Sequence, residues 1–303
     1  MCFSSLYFPF LFALTRFAFP QPASVPEGPA SWVIPVPLPA SLTFAGEVVP
    51  LQDQEIRERL ERELLQVSYQ HSATLLALKR ASRWQTQVQS VLKEKGVPED
   101  FFYLAAIESG FDPYANSGKA EGFWQFRPLT AVQEGLEVDT MQDIRQRQVD
   151  QRRDVRRSTV AFCQLIRKNR DRLGNWTTAA AAYNAGLSAT REVVSGQQTG
   201  SYYDLYLSPE PYRYVFRLLA MKLVMENPRQ YGFELAGADR YQPLKSKPVE
   251  VSSTIENLVE FAREHGISSR TLKYYNPWIV YRPNNYRLEV KPGRVYRIEV
   301  PAD

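Results

Sequence analysis

One carboxylate lies in a setting that suits proton transfer. Glu108 follows the uncharged run Phe101–Ile107, and Gly110 and Pro113 come after it. A run that is apolar on every side predicts a buried helix, which Gly110 would cap in the left-handed conformation and Pro113 would stop. Burial and the negative end of the helix dipole both disfavour an ionised carboxyl. Glu108 is therefore a candidate general acid; the alternative is a solvated glutamate at a frayed helix end.

Two later segments combine glycine with aromatic and amide side chains. They read Gly122-Phe123-Trp124-Gln125-Phe126 and Ala182-Tyr183-Asn184-Ala185-Gly186. Tyrosine and tryptophan suit sugar rings, because each has an apolar face and a polar edge. Most aromatic residues nevertheless belong to protein cores, so either segment alone is a weak signal.

Glu108-Ser109 and these two segments, in this order and at these intervals, resemble the goose-type lysozyme and lytic transglycosylase family, and most of all its membrane-bound D-type branch. Four further stretches support the resemblance: Glu108–Pro113, Asp154–Thr159, Leu207–Val215 and Asn227–Gly232. The resemblance extends over roughly Val88 to Phe233, about half of the chain.

The resemblance implies a mainly α, lysozyme-like catalytic domain with a cleft for peptidoglycan glycan strands. Glu108 aligns with the single catalytic acid of the family. Such an acid protonates the oxygen that links N-acetylmuramic acid to N-acetylglucosamine, and then takes the proton of the muramic acid 6-hydroxyl. The 6-oxygen closes a 1,6-anhydro ring, so the enzyme is a lyase that needs no second carboxylate, whereas ordinary glycosidases use two.

The same resemblance assigns substrate-binding roles. Tyr183 would position Glu108 or stabilise charge. Gln125 and Asn184 would hold a sugar or fix the nearby loop. The full set comprises Ser109, Gln125, Phe126, Tyr183, Asn184 and Tyr214. Ser109 has an alternative role, in which its hydroxyl bonds the backbone of its own helix. Glu210-Pro211 departs from the usual Glu-Thr of the family, which makes the assignment of Tyr214 weaker.

Two other functions remain open from the residues alone. One is a hydrolytic muramidase in which Asp112 or Glu121 places a water molecule. The other is a non-catalytic peptidoglycan-binding protein. The combination of Glu108, Gln125 and Tyr183 argues against the second, because a binding protein does not require a buried acid.

The apolar spacing predicts helices and loops from Gln52 to Tyr231. The main helices are expected at Asp53–His71, Thr74–Lys95, Arg152–Arg172 and Pro211–Glu226, with Pro98 in the first turn of the helix that carries Glu108. The alanines of 179–182 would let one helix pack closely against a neighbour.

The pattern changes after Ala236. Strands are predicted at Val249–Val251 and Val295–Val300, with helices at Ile255–His265 and Ser269–Tyr275 between them. This small α+β (βααβ) module resembles a LysM domain, whose closing strand matches Lys291–Pro301. Ser252-Ser253-Thr254 replaces the usual Gly-Asp-Thr, so sugar binding by this copy is left open, and a purely structural role is the alternative.

The predicted organisation has five parts. Residues 1–19 read as a signal peptide, although an uncleaved anchor or a misassigned start also fits, and 20–50 as a proline-rich linker that is not a folded unit. The transglycosylase domain would occupy 51–235 with its core at 88–233, followed by a linker at 236–247 and the LysM-like module at 248–303. This order predicts an exported protein of the periplasm or cell envelope and leaves association with a membrane surface open.

Composition narrows the partners. The net charge of +4 and the pI of about 8.9 favour an anionic polymer or surface. The sequence has no dense patch of lysine and arginine, so it does not indicate a nucleic-acid partner. Cys2, Cys163, His71 and His265 match no metal-ligand spacing, so we predict no metal, no cofactor and no intramolecular disulfide. Peptidoglycan glycan strands are the predicted partner, and the oligomeric state is not indicated.

Overall fold

The computed structural model describes residues 35–139, 147–280 and 286–302. The predicted signal peptide and the first half of the predicted linker lie outside these residues. All helices and strands of the described residues belong to one compact unit, Val36–Asp303.

The described residues are mainly helical, which confirms the predicted fold class. The helical part contains α1 (Gln54–Tyr69), α2 (His71–Glu94), α3 (Phe102–Ser109), α4 (Pro128–Gln133), α5 (Val155–Leu173), α6 (Trp176–Ala185), α7 (Leu187–Gln197) and α8 (Pro209–Glu226). Short 3-10 helices precede α3 at Glu99–Phe101 and α5 at Gln151–Arg153, and others lie at Tyr202–Asp204, Pro228–Tyr231 and Gly237–Asp239.

Helix α8 is the central helix of this part, and α1, α3 and α6 pack on it. It begins with Pro209 in its first turn, where the missing N–H costs nothing. Helix α1 is amphipathic, as its spacing predicts, and buries Ile56, Leu60, Leu64 and Val67. Because α8 lies between α1 and α3, it can present side chains towards the end of α3.

Helix α6 packs closely on α5 and α8. Asn175 caps it by accepting a hydrogen bond from the Thr178 N–H at 2.7 Å. All of the alanines at 179–182 are buried, with at most 2% of their surface exposed. The small residues therefore let α6 pack closely on its neighbours, as the sequence predicts.

The second half of the predicted linker differs from the expectation. Residues Thr43–Phe44 (β1) and Glu47–Val48 (β2) form a short antiparallel hairpin. Phe44 is fully buried, and its ring packs edge-on against Phe101 at 5.1 Å. The prediction of an unfolded spacer is wrong for this segment, because a few apolar side chains between the prolines bury themselves in the helical core.

The C-terminal module has the predicted βααβ order. Strand β3 (Ser246–Val251) pairs antiparallel with β4 (Tyr296–Pro301), with Val249 opposite Ile298. Helices α9 (Leu258–Glu264) and α10 (Ser269–Tyr275) lie between the strands in sequence. Leu258, Ala262, Leu272, Tyr296 and Ile298 form the centre of its core.

This module is joined to the helical part more closely than a separate appendage would be. The Asp150 N–H donates to the Trp278 carbonyl at 2.9 Å, and the Val280 N–H donates to the Gln148 carbonyl at 2.8 Å. Val149, from the helical part, lies within the hydrophobic core of the module. The Tyr296 hydroxyl adds a bond to Glu137 at 2.9 Å. The domain boundaries at 236–248 stay a prediction.

Within the described ranges, no helix has the length and apolar character that a bilayer span needs. The same residues contain no cluster of three or more His, Cys, Asp or Glu side chains arranged around a metal position.

Candidate active site

Helix α3 places Glu108 in the last turn of a buried helix, as the sequence predicts. Phe102, Leu104, Ala105 and Ala106 are buried. The helix ends at Gly110, whose φ of 59° is left-handed and whose N–H donates to the Ala106 carbonyl at 2.9 Å. The predicted cap is therefore confirmed.

The carboxyl group of Glu108 has one direct side-chain partner among the described residues. The Tyr214 hydroxyl, which projects from α8, donates a short hydrogen bond to Glu108 Oε1. As a whole residue, Glu108 is partly exposed to solvent. Burial around its carboxyl group nevertheless raises the pKa from 4.5 to about 7, although the hydrogen bond from Tyr214 lowers it. The acid thus keeps its proton at a pH where most glutamates are ionised.

Two tyrosines of the site remain protonated hydroxyls. Burial raises the pKa of Tyr183 and of Tyr214 well above the ordinary value, and the nearby Glu108 adds to the effect for both. Tyr214 directs its hydrogen at Glu108, whereas Tyr183 donates to the Trp124 carbonyl at 2.6 Å. The two hydroxyls therefore have different tasks: one bonds the acid, and the other holds the neighbouring loop.

The loop 122–126 is held through its backbone carbonyls. Ser109 Oγ donates to the Phe123 carbonyl at 2.7 Å, and Tyr183 holds the next carbonyl. Gln125 Nε2 donates to the Gly122 carbonyl at 3.0 Å and to the Ala115 carbonyl at 3.1 Å. The motif side chains thus fix this loop beside the end of α3.

Arg152 fixes the far end of the same loop. Its Nη1 donates to the Phe126 carbonyl at 3.0 Å, and its guanidinium pairs with Asp150 at 2.7 Å. Gly122 lies directly against the Arg152 backbone, with φ at 87°, so that an added Cβ would overlap the Arg152 carbonyl. Glycine is required here both for its conformation and for its lack of a side chain.

Glu121 forms the centre of a compact ion-pair network. Arg147, Arg152 and Arg153 approach its carboxylate at 3.4, 3.3 and 3.0 Å. Although burial disfavours ionisation, hydrogen bonds and these guanidinium groups hold the pKa of Glu121 well below its usual range. Asn116 Nδ2 also donates to it, at 3.0 Å. Glu121 therefore acts as a fixed anion that anchors the loop.

The structure brings most of the predicted site residues around one loop and one acid. Ser109, Gln125 and Tyr183 bond the loop backbone, and Tyr214 contacts Glu108. For Ser109 the geometry favours the backbone-bonding role, because both acceptors within reach of its hydroxyl are backbone carbonyls, Phe123 at 2.7 Å and Ala105 of its own helix at 3.1 Å. Asn184 lies exposed just after Tyr183, where a sugar can reach it.

The substrate-binding role predicted for Phe126 is wrong. We expected it to bind substrate, but only 2% of its surface is exposed and its ring packs edge-on against Tyr183 at 6.1 Å. It supports the site from the core side. Phe123 and Trp124 are likewise fully buried, and Trp124 stacks on Phe162 at 3.9 Å. An aromatic motif in sequence thus serves mainly as a hydrophobic anchor for the loop.

Sequence reasoning missed three charged residues of the site. Arg152 holds the loop, and Arg217 and Glu210 both act on the charge of Glu108. Arg217 and Glu210 lie three and four residues from Tyr214 in α8. Helical spacing would have placed them on the face of Tyr214, but only if Tyr214 had been known to touch the acid.

The chain carries two domains of known type. Residues 87–205 match the Transglycosylase SLT domain, and residues 247–303 match the Soluble lytic transglycosylase C-terminal LysM-like domain. The resemblance to lytic transglycosylases and to LysM modules that the motifs predict is confirmed.

Curated relatives include Membrane-bound lytic murein transglycosylase D of Escherichia coli strain K12. It is 32% identical over 243 residues, which cover 77% of this chain and 50% of the relative. The protein of the same name from Escherichia coli O6:H1 strain CFT073 has the same identity and coverage. This chain therefore spans about half the length of the curated relatives it matches.

Among solved structures, an inactive mutant of the lytic transglycosylase Slt from Pseudomonas aeruginosa shares 16% identity. The match covers 62% of this chain and 35% of that chain, with a TM-score of 0.35. A similarity at this level carries no argument about the site.

Proposed function

We propose that this protein is a lytic transglycosylase. It cleaves the β-1,4 bond between N-acetylmuramic acid and N-acetylglucosamine in peptidoglycan without water, and leaves a 1,6-anhydro-N-acetylmuramic acid end. The observation that carries the proposal is a single carboxylic acid, Glu108, which lies in the last turn of a buried helix, has a pKa raised to about 7 and accepts a hydrogen bond from Tyr214. The SLT domain match supports the same reaction class.

The hydrogen bond from Tyr214 determines which carboxyl oxygen of Glu108 donates the proton. Because Tyr214 donates to Oε1, the protonated acid carries its hydrogen on Oε2, where it is free to reach the glycosidic oxygen. Transfer of this proton breaks the bond from the anomeric carbon to that oxygen, and N-acetylglucosamine leaves with a 4-hydroxyl. The carboxylate that forms then gains from the Tyr214 bond, since hydrogen bonds to charged acceptors are the stronger ones.

The second half of the reaction restores the acid. The Glu108 carboxylate takes the hydrogen of the muramic acid 6-hydroxyl, and the 6-oxygen bonds to the anomeric carbon. No atom is gained from solvent, and the proton returns to Glu108. An attack from within the same sugar ring benefits from proximity, so one carboxyl group is sufficient.

The hydrolytic alternative requires a second group to activate water. Of the two candidates, Asp112 is paired with Arg80 at 2.8 Å and accepts from the Tyr114 N–H at 2.9 Å. Glu121 is held by three arginines and is 8% exposed. Both carboxylates are committed to structural bonds, which favours transglycosylation over hydrolysis.

The site roles and location are part of the same proposal. Glu108 is the catalytic residue. Asn184 contacts the glycan, while Ser109, Gln125 and Tyr183 position the loop that faces it. The curated relatives are named membrane-bound murein transglycosylases, which supports an exported protein of the periplasm or cell envelope that acts on peptidoglycan strands.

Mass spectrometry of digested peptidoglycan tests the reaction. Purified, insoluble peptidoglycan is incubated with the protein, and the released muropeptides are analysed without further muramidase. We expect 1,6-anhydro ends, about one water lighter than reducing ends. Reducing ends would instead identify a muramidase. Retention on peptidoglycan with no released fragments would identify a binding protein, and either result contradicts the proposal.

Replacing Tyr214 by phenylalanine should slow cleavage by roughly ten- to a hundredfold, because a hydrogen bond to a charged group contributes about 1.5–3 kcal/mol. Without the bond, which lowers the pKa of Glu108, that pKa should rise further. Glu108 then keeps its proton to higher pH, so the alkaline limb of kcat/KM should move upward. The pH dependence of muropeptide release measures both effects. Unchanged rate and pH profile would contradict the role of Tyr214.

A further inference from the structure

A row of polar side chains on α8 faces the acid. Glu210, Tyr214 and Arg217 are spaced by four and three residues, which puts them on one face of the helix. Tyr214, in the middle of the row, bonds Glu108. The residues on either side of it carry opposite charges, and neither of them has a role in the site that the sequence predicted.

Arg217 is held in place by its two neighbours in this row. It forms an ion pair with Glu210, and its guanidinium carbon lies 5.9 Å from the centre of the Tyr214 ring. Its Nε is buried and finds no acceptor within the part of the chain that the structure describes. Glu210 therefore satisfies only part of the guanidinium.

We propose that Arg217 is a positioning residue that places its cation beside Glu108 and stabilises the carboxylate formed when the acid gives up its proton, while Glu210 restrains this effect by pairing with Arg217. The proposal rests on the proposed function only for its catalytic consequence. The charge coupling itself is a property of the free protein.

The charges that act on Glu108 fit this arrangement. After burial and the Tyr214 bond, the next influences on the pKa of Glu108 are Arg217, which lowers it, and Glu210, which raises it. Tyr183 on α6 also faces Glu108 among the residues that the structure describes, and it stays neutral because burial raises its pKa. Arg80 on α2 and Asp112 lie near the end of α3 but neutralise each other in an ion pair at 2.8 Å.

The reaction gives such a pair a purpose. Glu108 must release a proton in the first half of the reaction and regain one in the second. A lone cation beside it would favour the first half and hinder the second. A cation that is partly neutralised by Glu210 gives Glu108 an intermediate proton affinity. Glu108 can then release its proton in the first half and take one up in the second, so that it acts as both acid and base.

The test is the titration of Glu108 in the protein without substrate. Side-chain carboxyl carbons of glutamate are labelled with ¹³C and followed by NMR against pH, and the spectrum of Glu108→Gln identifies the Glu108 signal. For Arg217→Met we expect the midpoint to rise by about half a pH unit or more. For Glu210→Gln, which frees the arginine, we expect a fall of similar size.

A matched control and a conservative variant separate the local effect of Arg217 on the Glu108 midpoint from a general effect of net charge. Arg229→Gln also removes one positive charge, but Arg229 is 82% exposed and pairs with Glu234, so the midpoint should not move. Arg217→Lys keeps a cation at this position and should restore most of the wild-type midpoint.

The outcomes distinguish this inference from the proposed function. If Arg217→Met and Glu210→Gln both leave the midpoint unchanged, or shift it in the same direction, the inference is overturned. Glu210 is largely exposed, so its variant is readable even if Arg217→Met does not fold. A protein that yields no anhydro ends but shows the opposite shifts would retain the charge coupling and lose only the lytic reaction.

Discussion

Replacing Glu108 by glutamine should lower the rate of glycan cleavage by at least about a hundredfold, which is the usual cost of losing a general acid. Glutamine has nearly the same shape, and its amide oxygen can still accept the hydrogen bond from Tyr214. It cannot donate an acidic proton to the leaving oxygen or take one from the 6-hydroxyl. Both halves of the reaction therefore fail at the same atom.

The rate of release of soluble muropeptides from insoluble peptidoglycan measures this loss. Glu192→Gln serves as the matched control, because Glu192 is an exposed residue of α7 and should tolerate the same change. Binding of the Glu108→Gln protein to insoluble peptidoglycan should persist. The thermal unfolding midpoint of this variant should not fall. Burial disfavours the ionised form of Glu108, and the glutamine that replaces it is neutral at every pH. Wild-type turnover in this variant would falsify the assignment of Glu108.

The part of the site that sequence predicts is the part that depends on neighbours along the chain. The buried helix, its acid and its glycine cap all lie within Phe102–Gly110, and the structure places them as expected. Apolar spacing and a left-handed glycine are local signals, so a short window of sequence contains the whole argument. The βααβ order of the C-terminal module follows from the same kind of signal.

The partner of the acid could not be predicted in this way. Glu108 and Tyr214 are 106 residues apart in sequence, and nothing in spacing tells which of two tyrosines reaches the carboxyl. The resemblance favoured Tyr183 for this contact, whereas its hydroxyl holds the Trp124 carbonyl. Which tyrosine faces the acid is decided by the packing of α6 and α8 around α3, a tertiary property.

The buried hairpin at 43–48 shows a different limit. The prolines and polar residues on either side of it resemble a linker in composition, and composition is averaged over a segment. A few apolar side chains, among them Leu42, Phe44 and Val49, decide the outcome by joining the helical core, where Phe44 packs against Phe101. The attachment of the LysM-like module to Gln148–Asp150 is similar, because it depends on surface complementarity between two regions distant in sequence.

Replacing Gly122 by alanine should destabilise the protein by at least about 3 kcal/mol, a size reached only by a few mechanisms. An alanine at φ of 87° is strained, which costs about 1–2 kcal/mol. The added Cβ would also overlap the carbonyl of Arg152. Arg152 cannot yield freely, because its guanidinium is bonded to Asp150 and to the Phe126 carbonyl.

Gly135→Ala provides the control for this experiment. Gly135 has nearly the same φ, 86°, but no atom lies within 4 Å of the position of an added Cβ. Urea unfolding of both variants therefore separates backbone strain, which they share, from the overlap with Arg152, which only Gly122→Ala has. We expect Gly135→Ala to lose about 1–2 kcal/mol and to keep its activity.

Equal losses of stability in the two variants would contradict the close approach of Gly122 to Arg152. If the approach is real, the Gly122→Ala protein that remains folded should also cleave glycan more slowly than Gly135→Ala. The reason is that Gly122 begins the loop whose carbonyls Ser109, Gln125 and Tyr183 hold. A loop displaced at its first residue cannot keep all of these bonds. The loop 122–126 would then shift relative to Glu108.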